Sequence, residues 1–335
     1  MKKRAHNENK KSSFLKQRES SGKGALKMNS AIRLSHVSKR YKKFLAVEDI
    51  SLEIGRGEIY GFIGLNGSGK TTTIKMLLGM IRPSEGDCYI ENQKVGLANH
   101  SLWAKVGSLV ETPYAYPELT VKENLEIFRR LRRVSDSSAV QQVMDQLKLT
   151  AYADKKAGKL SLGNMQRLGI AKALLHKPEI LILDEPSNGL DPTGIIEVRE
   201  LFQHLAYDLG VTIFMSSHLL SEVAKVATKI GIIHQGNLLQ EVKADQFKDL
   251  LNRRLVIDAQ DRGKVLAAMN KAGYPSLFNE DGKIETTAEY AVRHPEKISR
   301  YLVSEDVPPN HLALEEEELE AYFLRVITGR GGVNR

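Results

Sequence analysis

The sequence predicts an α/β core carrying a helical insertion, followed by a small α+β domain. Three observations carry this. Strand-length apolar segments alternate with helix-patterned ones from residue 32 to about 236. Several strands, such as 179–183 and 211–215, are continuously apolar, as in a parallel sheet covered on both faces. After about Gln240 the order changes to strand, helix, hairpin, helix, strand.

Taken in order, residues 32–34 and 50–54 read as early strands. Residues 58–63 form a strand that enters a Gly-rich turn, and 70–80 form the following helix. Residues 87–91 and 106–110 are again strand-like. The character then shifts, because 121–133, 138–147 and 163–176 carry helical spacing, which makes 112–176 a helical insertion. Strands return at 179–183, 211–215 and 230–234. Beyond 240, a strand (255–259), a helix (263–272), a hairpin around Asp281-Gly282, a helix (295–303) and a strand (311–314) give the βαββαβ order of a ferredoxin-like plan. Residues 315–327 read as a closing helix, with Glu315 to Glu318 as a solvated face at its N-terminus. The expected division is a tail (1–28), a core (29–240) and an accessory α+β domain (241–335).

Composition narrows the class. No apolar run approaches the ~18 residues of a membrane span, and the N-terminus has no apolar h-region of a secretory signal. Membrane contact must therefore be indirect, through a partner. The one cysteine, Cys88, allows no intrachain disulfide, which fits a reducing cytosol; it reads as a small strand residue without catalytic role. Residues 1–27 hold nine Lys or Arg against Glu8 and Glu19, and so carry seven of the eight net positive charges. The remainder is close to neutral, with no general polyanion-binding field, so no nucleic acid is expected. The tail itself is polar and basic, and is expected to be disordered. Met28, just before the ordered pattern, is a candidate translation start.

The strongest chemical signal is Gly64-Leu65-Asn66-Gly67-Ser68-Gly69-Lys70-Thr71, which matches G-x-x-x-x-G-K-[ST] between a strand and a helix. This is the P-loop of nucleoside triphosphatases. Its glycines let successive N–H groups turn inward onto phosphate oxygens, at the positive end of a helix. Asn66, Ser68 and Thr72 belong to the same cradle. Lys70 adds a point charge for the β- and γ-phosphates, and Thr71 offers a hydroxyl to Mg²⁺. The apolar strand 179–183 ends in Asp184-Glu185, where an α/β sheet places its ligands. Asp184 is placed to hold Mg²⁺ through its water shell, and Glu185 to orient and polarise the attacking water. The bland alternative is that both acids only cap the next turn.

The surrounding residues narrow the choice among such enzymes. Leu160-Ser161-Leu162-Gly163-Asn164-Met165-Gln166-Arg167 opens a helix just before the Asp184 strand. Leu190-Asp191 follows it, and His218 ends the strand 211–215 after Ser216-Ser217. This ordered set, over about 32–236, resembles the ATP-binding cassette (ABC) ATPase superfamily. The resemblance implies that Tyr41 stacks on adenine, an ordinary half-buried strand tyrosine being the alternative. It implies that Ser161 and Gly163 cap a γ-phosphate held by an opposite subunit, that Asp191 is the D-loop acid and that His218 contacts the γ-phosphate.

The signature departs from L-S-G-G-Q at Leu162 and Asn164. Glu111 stands where the family usually has a Gln that reaches the magnesium shell, and its change is either a neutral replacement or an altered coupling to Mg²⁺. Together, Glu111 and the L-S-L-G signature look like the bacitracin-resistance and lantibiotic-immunity exporter ATPases. The resemblance further implies a head-to-tail homodimer holding two ATP–Mg²⁺ complexes, docked through about 111–123 on a transmembrane permease subunit. The chain would then be cytoplasmic, peripheral on the inner face of the plasma membrane, and would power efflux of an antimicrobial peptide or drug. The segment after 240 is expected to regulate or dimerise. The rival is a soluble ABC-type regulator acting on ribosomes or DNA, which the single cassette and short helical insertion disfavour.

Overall fold

The computed structural model describes residues 30–96 and 99–329; the basic tail lies outside the described residues. The described residues begin with a long antiparallel pair, β1 (Ser30–Tyr41) and β2 (Phe44–Gly55). Next come β3 (Ile59–Ile63), α1 (Lys70–Leu77), β4 (Glu85–Ile90), β5 (Gln93–Lys94), the short α2 (His100–Trp103) and β6 (Val106–Leu109). The helical insertion comes after these, with α3 (Val121–Leu131), α4 (Ala139–Gln146) and α5 (Leu162–Leu174). Helix α3 starts where its sequence says it should: Thr120 and Glu123 form a reciprocal capping box. The core resumes with β7 (Ile180–Leu183), α6 (Pro192–Tyr207), β8 (Thr212–Ser217), α7 (Leu220–Val223), β9 (Lys229–His234) and β10 (Asn237–Lys243).

Two sheets form the core. The six-stranded sheet has the order β10-β9-β3-β8-β7-β6. Its five inner-core strands run parallel, and only β10 is antiparallel. The second sheet has the order β2-β1-β4-β5. Alternation along the apolar strands explains why they are continuously hydrophobic. Ile59 and Ile63, Leu181 and Leu183, and Ile213 and Met215 face one cluster, made with α4, α5 and α6. Tyr60 and Phe62, Ile180 and Ile182, and Phe214 face the other, toward the second sheet and α1. Phe214 stacks on Tyr60 at 5.6 Å between ring centroids, near the centre of that second cluster. Cys88 lies there too, 3% exposed, its thiol pushed up to about 12 by burial, which suits a packing role.

After a 3-10 segment (Ala244–Leu250), the chain builds β11 (Arg253–Ala259), α8 (Arg262–Lys271), β12 (Ser276–Phe278), β13 (Ile284–Thr286), α9 (Glu289–Arg293), α10 (Pro295–Ser304) and β14 (Pro309–Glu316). These strands form a third sheet, β12-β13-β11-β14, antiparallel throughout. Leu255, Ile257, Val265, Met269, Ile284, Ile298 and Leu302 fill its own small core.

Two features differ from the sequence expectation. First, the glutamate run does not begin a helix. Glu315 and Glu316 finish β14, opposite Arg254 and Arg253. Arg254 is bound by Glu285 at 2.8 Å and Glu315 at 3.0 Å, while Glu317 binds Arg325 at 2.8 Å. The Arg254 pairings come from strands distant in sequence, so local pattern does not show them. Second, the core runs past 240. Strand β10 ends at Lys243, and α11 (Leu319–Ile327) returns from the far end of the chain to pack on α7. Tyr322 and Phe323 are buried in the first apolar cluster. Tyr322 meets Phe247 edge-on at 4.9 Å and its hydroxyl donates to Gln240 Oε1 at 2.9 Å.

Candidate functional site

The site lies at the carboxyl ends of β3, β7 and β8. The loop from Gly64 to Gly69 leaves β3, and Gly64 N–H donates to Ser217 O at the end of β8 at 3.2 Å. Gly69 sits at φ 110, where only glycine is at ease, and a Cβ on it would lie 2.7 Å from Ala46 O. As the cap of α1 it supplies no side chain, so the free N–H groups of the first turn are left for an anion. Asn66 is exposed at the tip of the loop, and Thr72 is half-buried in the first turn of α1.

Lys70 is 6% exposed. Its ammonium donates to Gly64 O at 2.7 Å and Leu65 O at 3.2 Å, and lies 3.3 Å from Glu185 Oε1. Ser68 Oγ is buried with no hydrogen-bond partner. An orphaned hydroxyl beside a cation and open N–H groups is a set of donors waiting for an acceptor-rich group such as a polyphosphate.

Thr71 Oγ1 donates to Asp184 Oδ2 at 2.7 Å, and Ser216 Oγ donates to Asp184 Oδ1 at 2.5 Å. One hydroxyl and one carboxylate suit a Mg²⁺ ion that takes its other ligands from phosphate and water. Among the described residues no cluster of three or more acidic, His or Cys side chains gathers to cage a metal.

Glu185 comes next in the chain, with φ 48. Its N–H donates to Ser216 Oγ at 3.0 Å, and its carbonyl accepts from Gln166 Nε2 at 3.0 Å and from Asn188 N–H at 3.0 Å. The carboxylate lies 2.8 Å from His218 Nδ1. Lys70, Asp184, Glu185 and His218 are thus brought together in one connected group, with Ser216 linking Asp184 to Glu185. Ser216 and Gln166 were named from sequence only as parts of motifs, with no role; Ser216 Oγ bonds both Asp184 and Glu185, and Gln166 bonds Glu185 alone.

The other expected residues stand further out. Ser161 is exposed and caps α5, its hydroxyl accepting from Asn164 N–H at 3.3 Å. Gly163 lies against the next loop, since a Cβ there would approach Gly189 O to 2.9 Å. Asp191 caps α6 by accepting from Gly194 N–H at 3.1 Å. Among the described residues, no hydrogen bond joins Ser161 or Asp191 to the Lys70 group. Tyr41 is 44% exposed at the tip of the β1–β2 pair, with Lys39 Nζ 5.2 Å from its ring centroid. Glu111 does not join Thr71 and Asp184: with φ 57 it turns outward and pairs with Lys75 Nζ at 2.6 Å.

Comparison with known proteins agrees with this geometry. Residues 47–188 match the model of the ABC transporter family. The chain is 37% identical over 304 residues to the bacitracin transport ATP-binding protein of Bacillus licheniformis, covering 90% of this chain and 99% of that one. The Streptococcus pyogenes lantibiotic transport ATP-binding protein is 33% identical over 230 residues, 68% of this chain and 98% of that one. A solved dimeric ABC transporter cassette superposes with TM-score 0.59 at 28% identity, over 64% of this chain and 98% of that one. The same cassette in a post-hydrolysis state with ADP and Pi gives TM-score 0.58 at 27% identity.

Proposed function

From the premise that this chain belongs to the ABC transporter family of ATP-binding subunits, we propose that it hydrolyses ATP to drive export of a bacitracin- or lantibiotic-like antimicrobial peptide through a separate permease. The observation that carries the ATPase reading is the connected group of Lys70, Asp184, Glu185 and His218 beside the uncapped start of α1. Export of a peptide antibiotic is supported by the relatives named for bacitracin and lantibiotic transport. The longer alignment with the former extends well past the cassette into the accessory sheet.

Each residue has a part. The N–H groups of Gly67 and of Gly69 to Thr72 bind the phosphates, and the Lys70 ammonium leaves its two carbonyl partners for the β- and γ-oxygens. Thr71 and Asp184 would hold a Mg²⁺ ion, which would supply positive charge beside the phosphate oxygens. Glu185 accepts a hydrogen bond from the attacking water and aims it at the γ-phosphorus. His218 holds the Glu185 carboxylate and faces the γ-phosphate. Tyr41 stacks on the adenine, and Glu111 answers to the magnesium shell once released from Lys75.

A second copy completes each site. Exposed Ser161 and half-buried Gly163, at the start of α5, present a helix N-terminus suited to the γ-phosphate of the opposite copy, with Asp191 alongside. A homodimer then encloses two ATP molecules and opens after hydrolysis, and the docked permease moves with it. Among the described residues no helix is long and apolar enough to cross a membrane, so attachment to its inner face runs through that permease.

The experiment is Glu185→Gln. Removing the base should lower phosphate release by at least about 100-fold while ATP binding persists, and gel filtration with ATP should show a trapped dimer. Lys70→Ala should lose ATP binding itself. Unchanged turnover in Glu185→Gln would refute the assignment.

A further inference from the structure

Glu185 has a left-handed φ, uncommon for a non-glycine residue, and one of the hydrogen bonds that hold it there comes from an unexpected direction. Its φ of 48 is disfavoured relative to the ordinary helical region. Such strain persists where the surroundings over-determine it. Three hydrogen bonds do so. Ser216 Oγ fixes the N–H, and Asn188 N–H and Gln166 Nε2 both reach the carbonyl at 3.0 Å. Ser216 and Asn188 belong to the same strand-end layer as the site. Gln166 belongs to α5, and it is 3% exposed.

Helix α5 is itself pinned. Arg167 Nη1 donates to Glu197 Oε2 at 2.7 Å on α6 and to Leu147 O at 3.1 Å, and Lys172 Nζ donates to Tyr114 O at 2.7 Å. A side-chain amide on such a fixed rod defines where the Glu185 carbonyl can lie. Without that anchor the Glu185 main chain is freer to leave φ 48, and a change of φ turns the Cα–Cβ bond and carries the carboxylate away from His218 and Lys70. Among the described residues, Gln166 makes no hydrogen bond to the Gly64–Thr71 loop.

We propose that Gln166 is a positioning residue for ATP hydrolysis, holding the Glu185 main chain so that its carboxylate meets the attacking water. This rests on the reading of Glu185 as the residue that orients that water. Gln166 also places the glutamate in register with Ser161, about 7.5 Å away along the same helix axis.

The test is steady-state Mg²⁺–ATP turnover of the full chain carrying Gln166→Met, which keeps the length and removes the donor, and Gln166→Asn, which keeps the amide and loses its reach. Either variant that folds, judged by its melting temperature, carries the test. Loss of one such bond should lower kcat about 3–10-fold, with KM for ATP within about twofold of the wild type. In the Glu185→Gln background, Gln166→Met should cause no further loss. Unchanged kcat, a loss matched by an equal rise in KM, or an additive loss in the double variant would overturn the proposal. Wild-type turnover in Glu185→Gln alone would instead overturn the reading beneath it.

Discussion

Replacing Lys172 by Met should remove a specific rise of stability with pH. Lys172 is only 6% exposed on α5. Its ammonium donates to Tyr114 O at 2.7 Å and lies 4.5 Å from the Phe128 ring centroid. Among the described residues it has no carboxylate partner, and burial pushes its pKa from 10.5 down to about 8. Below pH 8 both folded and unfolded chains keep the proton. Between about 8 and 10.5 the folded protein releases it first, so the unfolded state binds more protons and stability rises with pH. At ~1.4 kcal/mol per pH unit, the full gap is about 3 kcal/mol. Cys88 acts in the opposite direction over this range because burial raises its thiol, so the wild type must be compared with the variant. Urea unfolding at pH 7 and pH 10.5, followed by circular dichroism, gives both stabilities. The wild type should gain about 3 kcal/mol on Lys172→Met between the two pH values. A difference constant to within about 0.5 kcal/mol would show that this amine titrates as a solvated one and would refute the reasoning.

The same geometry sets three further outcomes. Gly69→Ala forces a methyl against Ala46 O at an unfavourable φ, and should abolish binding of a fluorescent ATP analogue; retained affinity would contradict the phosphate role of the loop. Ser216→Ala strips a partner from both Asp184 and the Glu185 N–H, so stability should fall by about 1–3 kcal/mol in denaturant melts and kcat should fall more than KM. Lys75→Met frees the exposed Glu111 carboxylate; stability should change by less than about 1 kcal/mol, while the Mg²⁺ concentration for half-maximal turnover shifts.

The chemistry of the site was legible because its parts are local. The turn Gly64 to Thr71 and the strand ending in Asp184-Glu185 each announce themselves over a few consecutive residues, and the sheet order brings them together. Helix α6 was not among the predicted elements, although the cap Asp191 followed by Pro192 at its first position is a local signal for it. What local pattern could not supply was pairing at a distance. Gln166 reaches a carbonyl 19 positions later, and Lys75 reaches Glu111 across 36. Strand β10 alternates between half-buried and exposed residues at a sheet edge, so its apolar signal is faint and the pattern ends the core too early. The short charged stretch before α11 reads as a helix start because Arg253 and Arg254, its strand partners, lie about sixty residues upstream.

The returning helix α11 makes the molecule indivisible in a way its linear order conceals. Tyr322 and Phe323 act as a stopper in the wall of the first unit, so a protease nick between Leu250 and Arg253 would leave two fragments still holding each other. A premature stop anywhere before Leu319 would uncork that wall. Late nonsense alleles should therefore surface as insoluble protein, and not as a working motor without its appendage.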